Sequence, residues 1–370
     1  MAARLRKQPA PADQRLAILR DRLAKSKADA ILLTQPVDLH YLTGFTGEDS
    51  WALVPLRRGK VTLISDRRFE EDIASQAPDA APFMRTESLP AATAKVIAKK
   101  RFQHIAFEAS QLSVADRNQL AKAARPAKLL PTQLGMMDQR AIKEPSEVDH
   151  IRKAIAVQQK AFLDTCKWLK PGRSEVEVAA YLEYRIRIHG GQGVSFPTIV
   201  AADDRSSLPH AVPSDRKLKQ GGCVLFDWGA RVNGYCSDMT RVVALGKMPR
   251  KIANIYQIVL DAQLAAIDAI APGVPLAQVD AAARKVIRKA GFAKEFLHST
   301  GHGIGLEIHE EPRLSAKAQG ALQPGHVVTV EPGIYLPGIG GVRIEDDVLV
   351  SDNGHQVLSD LPKDLASATL

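Results

Sequence analysis

At 370 residues with 45% hydrophobic content, the chain is long enough to bury a large core, and two or three domains are the expectation from length. Its 50 Lys and Arg against 41 Asp and Glu leave a net charge of +9, which invites a nucleic-acid reading. The basic residues are scattered, however: Arg4-Leu5-Arg6-Lys7, Lys99-Lys100-Arg101 and Arg284 to Lys289 have few aromatics nearby and read as solvated helix faces, so no nucleic-acid partner is expected.

Leu16, Leu19 and Leu23 at helical spacing predict a first helix, followed by the apolar run Ala30-Ile31-Leu32-Leu33, a buried strand. Further strands are predicted at Ala52–Pro55, Val61–Ser65 and His104–Glu108. They alternate with Ala- and Lys-rich helices at 68–76, 91–101 and 113–124, the pattern of a parallel or mixed sheet covered by helices. Tyr41-Leu42-Thr43-Gly44-Phe45-Thr46-Gly47 is placed at the first strand-to-loop junction.

Near residues 136–150 the chain changes to MMDQRAIKEPSEVDH, with Pro145-Ser146 and Glu147 at a capping-type helix start. The domain boundary is placed here: a first domain at 1–137, a connection at 138–146 and a second domain at 147–370. The second domain repeats itself. Lys170-Pro171-Gly172 returns as Ala271-Pro272-Gly273, and the helices that follow end at His189-Gly190 and Ala290-Gly291, both pairs 101 residues apart. The strand Gly222 to Gly229 is echoed by Gly325 to Gly333, which puts Asp227 and Glu331 at comparable strand ends. Two similar helix-plus-sheet halves about a pseudo-twofold axis bring such distant acids together, and strands hold them more rigidly than loops would.

Five potential metal ligands, Asp227, Asp238, His302, Glu331 and Glu345, lie in the motifs VLFDWG, YCSDMTR, HSTGHGIGLEIHEEP and VEPGIYLPGIGGVRIEDD. Four carboxylates with one imidazole suit a pair of divalent ions, Mn²⁺, Co²⁺ or Zn²⁺, better than one closed structural zinc. Such a pair activates water against a carbonyl carbon. Glu331 is also chosen as proton shuttle, because a ligand carboxylate beside the activated water takes its proton and passes it to the departing amine. Arg343, two residues before Glu345 and placed on the same strand face, is read as the cation that holds the acidic ligands.

Cys166, Cys223 and Cys236 form no C-x-x-C pair and no disulfide framework, so a reducing cytoplasm is expected and Cys236 reads as a small buried thiol. No stretch reaches about 18 apolar residues, and no apolar segment follows the basic N-terminus; neither an export signal nor a membrane span is predicted.

In their order, these motifs resemble the pita-bread metallopeptidases, and within them the Xaa-Pro peptidases (prolidase and aminopeptidase P), over nearly the whole chain. Asp227 and Asp238 stand eleven positions apart and Glu345 sits in Val342-Arg343-Ile344-Glu345-Asp346, as the family's ligands do. The resemblance implies an α/β (α+β) chain: a creatinase-like N-terminal domain, to which residues 41–47 belong, then a pita-bread domain over about 147–355. It implies that His210, His298 and His309 surround the substrate carbonyl and scissile amide, that Arg313 engages a dipeptide's free carboxylate, that Mn²⁺ is the favoured metal, and that the protein is a homodimer. His40, His104, His150, His189, His326 and His355 are read as ordinary surface or core residues.

Proline specificity rests on likeness alone; the residues themselves give a hydrolase of an amide or similar bond. The prolidase-like reading is preferred to aminopeptidase P acting on longer peptides. A metal-free creatinase-like amidinohydrolase and a non-catalytic pita-bread interaction or RNA-binding protein share the fold, but such relatives lose ligands and this chain keeps all five. Ala201-Ala202-Asp203-Asp204 and Ala211 replace frequent glycines, which leaves the pocket shape near His210 open.

Overall fold

In the computed structural model, which describes residues 11–133 and 135–370, the chain divides into two compact units between Gln139 and Arg140. The basic run Arg4 to Lys7 lies outside the described residues. The first unit runs α1 (Pro11–Arg22), β1 (Ala30–Leu33), α2 (Pro36–Thr43), β2 (Trp51–Pro55), β3 (Thr62–Ser65), α3 (Glu70–Gln76), β4 (Ala81–Met84), α4 (Leu89–Lys100), β5 (His104–Glu108), α5 (Val114–Ala123) and β6 (Lys128–Thr132). Its mixed sheet has the order β4-β3-β2-β1-β5-β6, with β1 antiparallel to β2 and parallel to β5. The apolar run of β1 is central. Ala30 and Leu32 pack with Ala92, Val96 and Ile97 of α4, and Ile31 and Leu33, which the pleat turns to the opposite face, are equally buried.

Two strands escaped the sequence reading, β4 and β6, and both contain proline, Pro82 and Pro131. Proline has no N–H for a ladder, so it is tolerated at a sheet edge, and these are the two edge strands. The placing of Tyr41 to Gly47 at a strand-to-loop junction is corrected. Pro36 opens a helix through Thr43, and Gly44 ends it at φ +83°, its N–H donating to His40 O at 2.8 Å.

The expected 138–146 connection is largely occupied by α6 (Met136–Ala141) and the start of α7 (Pro145–Trp168), where the Glu144 N–H donates to Glu147 Oε2 at 2.9 Å. The first half of the second unit continues with α8 (Glu175–Ile188), β7 (Gly193–Val194), β8 (Ile199–Ala202), β9 (Cys223–Trp228), β10 (Ala230–Val232), β11 (Tyr235–Cys236) and β12 (Met239–Ala244). The second half follows with α9 (Arg250–Asp268), α10 (Leu276–Lys289), β13 (Gly301–Gly303), β14 (Glu310–Leu314), β15 (Val327–Val330), β16 (Gly333–Leu336), β17 (Gly340–Arg343), β18 (Asp346–Ser351) and β19 (Gly354–Val357).

The internal repeat is structural. Gly172 and Gly273 take φ of +89° and +81°, a region that favours glycine, and donate to Leu218 O and Leu322 O at 2.9 and 2.8 Å. The helices that follow, α8 and α10, both have 14 residues. The strands that lead to the expected ligands Asp227 and Glu331, β9 and β15, pair antiparallel with β12 and β18. The sheet β12-β9-β8 is covered on both faces: Cys223 and Leu225 pack with Ile255 and Val259 of α9, while Val224 and Phe226 pack with Phe162 of α7 and Leu182 of α8. That double burial explains an unbroken apolar run where a half-exposed strand would alternate.

No described helix is long and apolar enough to cross a membrane, and Cys166, Cys223 and Cys236 are free thiols. His326 is buried, its Nδ1 accepting from the Gln323 N–H at 3.1 Å. Burial, with Lys143 nearby, pulls it from its ordinary 6.5 to about 4. The unfolded chain therefore takes up a proton at this residue before the folded one does, so stability is lost as pH falls between those values. His326→Asn, which keeps an acceptor and loses the titration, is expected to flatten that slope in thermal melts taken at mildly acidic and neutral pH; an unchanged slope would refute this.

Candidate metal centre

Antiparallel pairing delivers the acids to one place. Asp227 lies within β9, opposite Thr240 of β12, and His302 lies in β13, opposite Arg313. Asp238, Glu331 and Glu345 sit one residue outside β12, β15 and β18, so three of the five expected ligands occupy strand ends rather than strands. The repeat accounts for the pattern: Asp227 and Glu331 close the outgoing strands, while Asp238 and Glu345 open the returning ones.

Asp238, His302 and Glu345 each bring one ligand atom into a group spanning no more than 4.8 Å. His302 Nε2 is 3.4 Å from Glu331 Oε1 and 3.7 Å from Asp238 Oδ2. Its Nδ1 lies 3.1 Å from Gly303 O; assigning the ring proton there leaves the Nε2 lone pair facing the acids. Asp227 Oδ1, Asp238 Oδ1 and Glu345 Oε1 are buried without a hydrogen-bond partner. Buried polar atoms are nearly always satisfied, and three orphaned carboxylate oxygens in a cavity that His302 also lines fit divalent cations.

Electrostatics point the same way. Burial raises Asp227 and raises Asp238 well above the usual range, the latter with Glu345 and Asp227 adding repulsion. Glu345 is likewise pushed well up by burial and then by Glu331, while Glu331 is raised to about 8 by burial against the pull of Arg343. Burial holds His302 down at about 3, a neutral imidazole. Neutral donors and crowded carboxylates are what a cation would relieve.

Arg343 does not share a strand face with Glu345, because β17 ends at Arg343 and Glu345 enters a different sheet. Its guanidinium reaches across instead. Nη2 donates to Asp227 Oδ2 at 2.5 Å, Nε to Thr240 Oγ1 at 2.9 Å and Nη1 to the Tyr335 hydroxyl at 2.7 Å. Thr240 in turn donates to Glu345 Oε2 at 2.7 Å, tying one carboxylate from each half together. Thr240 and Tyr335 were missed in the sequence, where only their places inside the motifs YCSDMTR and VEPGIYLPGIGGVRIEDD hinted at a role.

The three histidines differ. His298 has both nitrogens engaged, Nδ1 with Ser299 O at 2.9 Å and Nε2 with the Tyr335 hydroxyl at 2.8 Å, and burial pulls it to about 4. His309 stands edge-on to His302 with ring centroids 4.5 Å apart, and burial, then Arg313, lowers its pKa. His210 lies in the connection between β8 and β9. All three, with Arg313 and the five expected ligands, line one cavity of about 470 Å³, within the range of small-ligand sites. Phe196, Pro197, Ile199, Val212 and Ile308 supply its apolar wall.

One basic run departs from the solvated reading. Lys285, Arg288 and Lys289 are exposed, but Arg284 pairs with buried Asp280 at 2.7 Å and donates to His298 O at 2.5 Å. It braces the segment that carries His298.

A cavity floored by four acids and an imidazole, with uncommitted polar groups at its wall, has the donor set of a divalent-metal hydrolase. Comparison with known proteins agrees. Residues 149–352 match metallopeptidase family M24, and residues 15–142 match the creatinase/prolidase N-terminal domain. The uncharacterized peptidase YqhT of Bacillus subtilis is 38% identical over 347 residues, covering 94% of this chain and 98% of that one. Among solved structures, the Xaa-Pro dipeptidase from Bacillus anthracis superposes with a TM-score of 0.92 at 37% identity, covering 97% of this chain and 100% of that one. The X-Pro aminopeptidase from Thermotoga maritima MSB8 gives 0.87 at 34%, with 94% and 99% covered. The prolidase from Pyrococcus horikoshii OT3 gives 0.88 at 32%, with 95% and 99% covered.

The chain belongs to metallopeptidase family M24. It is a peptidase with a creatinase-type N-terminal domain and a pita-bread catalytic domain.

Proposed function

We propose that the protein is an Xaa-Pro peptidase that hydrolyses the amide bond before proline in short peptides and acts best on dipeptides. The observation that carries the reading is the joining, in one cavity, of five acid and imidazole ligands with His210, His309 and an exposed Arg313. Likeness to an Xaa-Pro dipeptidase and to a prolidase supports the substrate class. Asp227, Asp238, His302, Glu331 and Glu345 hold two divalent ions, Mn²⁺ preferred over Co²⁺ or Zn²⁺. When bound, the ions supply Lewis-acid activation of water and of the scissile carbonyl.

The chain's own groups do the rest. Glu331 takes a proton at its carboxylate from the attacking water and returns it to the departing proline nitrogen. His210 and His309 hydrogen-bond the carbonyl oxygen as charge develops on it. His298, tied to Tyr335, positions that hydroxyl and Arg343 at the edge of the substrate site, and Arg343 draws Asp227 down against the burial that raises it. Catalysis falls to residues 147–370, with 1–137 and 138–146 as the accompanying domain and connection; the working form is a cytoplasmic homodimer, which light scattering tests.

Arg313 makes the length preference. A guanidinium on the terminal carboxylate gives a charge-assisted contact worth roughly 1.5–3 kcal/mol, about tenfold to a hundredfold, that a longer peptide loses. In Mn²⁺-supplemented assays, an Xaa-Pro dipeptide is expected to be cleaved better than an Xaa-Pro-Xaa tripeptide, and Arg313→Ala to narrow the gap by weakening dipeptide hydrolysis. Equal kcat/KM on the two lengths, or an unchanged preference in Arg313→Ala, would favour the second reading, an aminopeptidase on longer peptides, which the likeness to the Thermotoga X-Pro aminopeptidase supports.

A further inference from the structure

The first residue of α8, Glu175, is wholly buried. The internal repeat supplies a control: the matching first residue of α10 is Leu276, also buried, and the two helices are equally long. The fold therefore does not require an acid at this place, and an acid is costly to bury unless its oxygens are fully hydrogen-bonded. Those of Glu175 are. Oε1 accepts from the Ala202 N–H at 2.8 Å, and Oε2 accepts from the Ser214 N–H at 2.9 Å and its hydroxyl at 2.7 Å. Arg205 Nε lies 3.1 and 3.0 Å from the two oxygens, while its Nη2 donates to Val212 O at 2.7 Å.

Between Ala202 and Ser214 runs the segment whose Pro209, His210, Ala211, Val212 and Pro213 form one wall of the active cavity. One carboxylate thus gathers both ends of that segment, and Arg205, itself within the segment, bonds both that carboxylate and Val212 O. We propose that Glu175, with Arg205, is a positioning residue for His210: it touches no substrate and acts by fixing the backbone from which His210 enters the cavity. The proposal rests on the reading of His210 as a working group in peptide hydrolysis.

Glu175→Gln is the sharp variant. Each oxygen accepts from a backbone N–H, so either orientation of the amide sets an NH₂ against a donor. In the full-length, metal-loaded enzyme, amide exchange followed by mass spectrometry is expected to accelerate over 203–214 and to stay unchanged over β9, β12 and β15, with metal content at the wild-type level. Misplacement on the ångström scale lowers kcat/KM by about 10²-fold, and Glu175→Gln combined with His210→Ala should be no worse than His210→Ala alone. Unchanged exchange over 203–214, faster exchange throughout the catalytic unit, or losses that multiply in the double variant would each overturn the proposal. Should Glu175→Gln not fold, Arg205→Lys, at a side chain one-quarter exposed, must give the same local exchange and the same non-additivity, and its failure to do so overturns the proposal equally. A wild-type enzyme that leaves Xaa-Pro peptides intact, with the exchange result standing, would fault the substrate reading and not the clamp.

Discussion

Chelation is expected to abolish peptide hydrolysis, and elemental analysis of the purified protein to find about two divalent ions per chain, since five ligands with four carboxylates exceed one ordinary site. Asp238→Asn and Glu331→Gln should lower metal occupancy and activity together. Lewis-acid stabilisation worth several kcal/mol corresponds to a loss on the order of 10³-fold. Stability gives a second readout. Without metal, burial holds the protons of Glu331 up to about 8 and of Asp238 and Glu345 well above their ordinary range. An acid whose folded pKa is raised binds protons that the unfolded chain has already released, so its contribution is present below the unfolded value near 4 and is lost as pH rises toward the folded one. The metal-free protein should therefore melt at a lower temperature at about pH 8 than at about pH 5, and added Mn²⁺ should remove most of that difference. No metal above trace together with no activation by Mn²⁺, Co²⁺ or Zn²⁺ would end the metal reading; a pH-independent melt of the metal-free protein would end the electrostatic one.

That Asp227, Asp238, His302, Glu331 and Glu345 would meet in one cavity was legible because metal chemistry restricts candidate ligands to a few residue types in a fixed order, and because the duplication at Gly172 and Gly273 survives in sequence. Strand β1 was legible for a simpler reason: a central strand must be apolar on both faces. What escaped depends on contacts made across long sequence separations. Arg343 was read as a cation holding acidic ligands, but nothing near it says that the acid it reaches is Asp227, which lies 116 residues away, and nothing near Thr240 says that it meets Glu345, 105 residues away. Arg284 looked like part of a solvated run because three of its neighbours are solvated; only the fold puts Asp280 and the His298 carbonyl beside it. The edge strands β4 and β6 were hidden by prolines that are permitted only where no neighbour follows. The end of α2 was hidden by reading Gly44 as a loop residue when it is a helix terminator.

His309→Ala and His210→Ala are expected to keep metal content near wild type and to lose about 10²-fold or more in kcat, the size of effect seen when a donor to a developing oxyanion is removed. The geometry separates these residues from the ligands. His309 meets His302 edge-on and lies in the connection that leads into β14, while His210 enters from the connection between β8 and β9. Both line the cavity. Burial and the neighbouring Arg313 hold His309 below its ordinary range, so at neutral pH it is an uncharged imidazole with one donor and one acceptor, suited to a carbonyl whose negative charge grows toward the transition state. Its interaction strengthens as that charge develops, so kcat should fall more than KM rises. Retained activity in either variant would remove that residue from the mechanism. Loss of metal along with activity would instead assign the histidine to holding the site, and the contrast with Asp238→Asn, which should lose both, makes the two outcomes distinguishable by measuring metal and kcat on the same preparations.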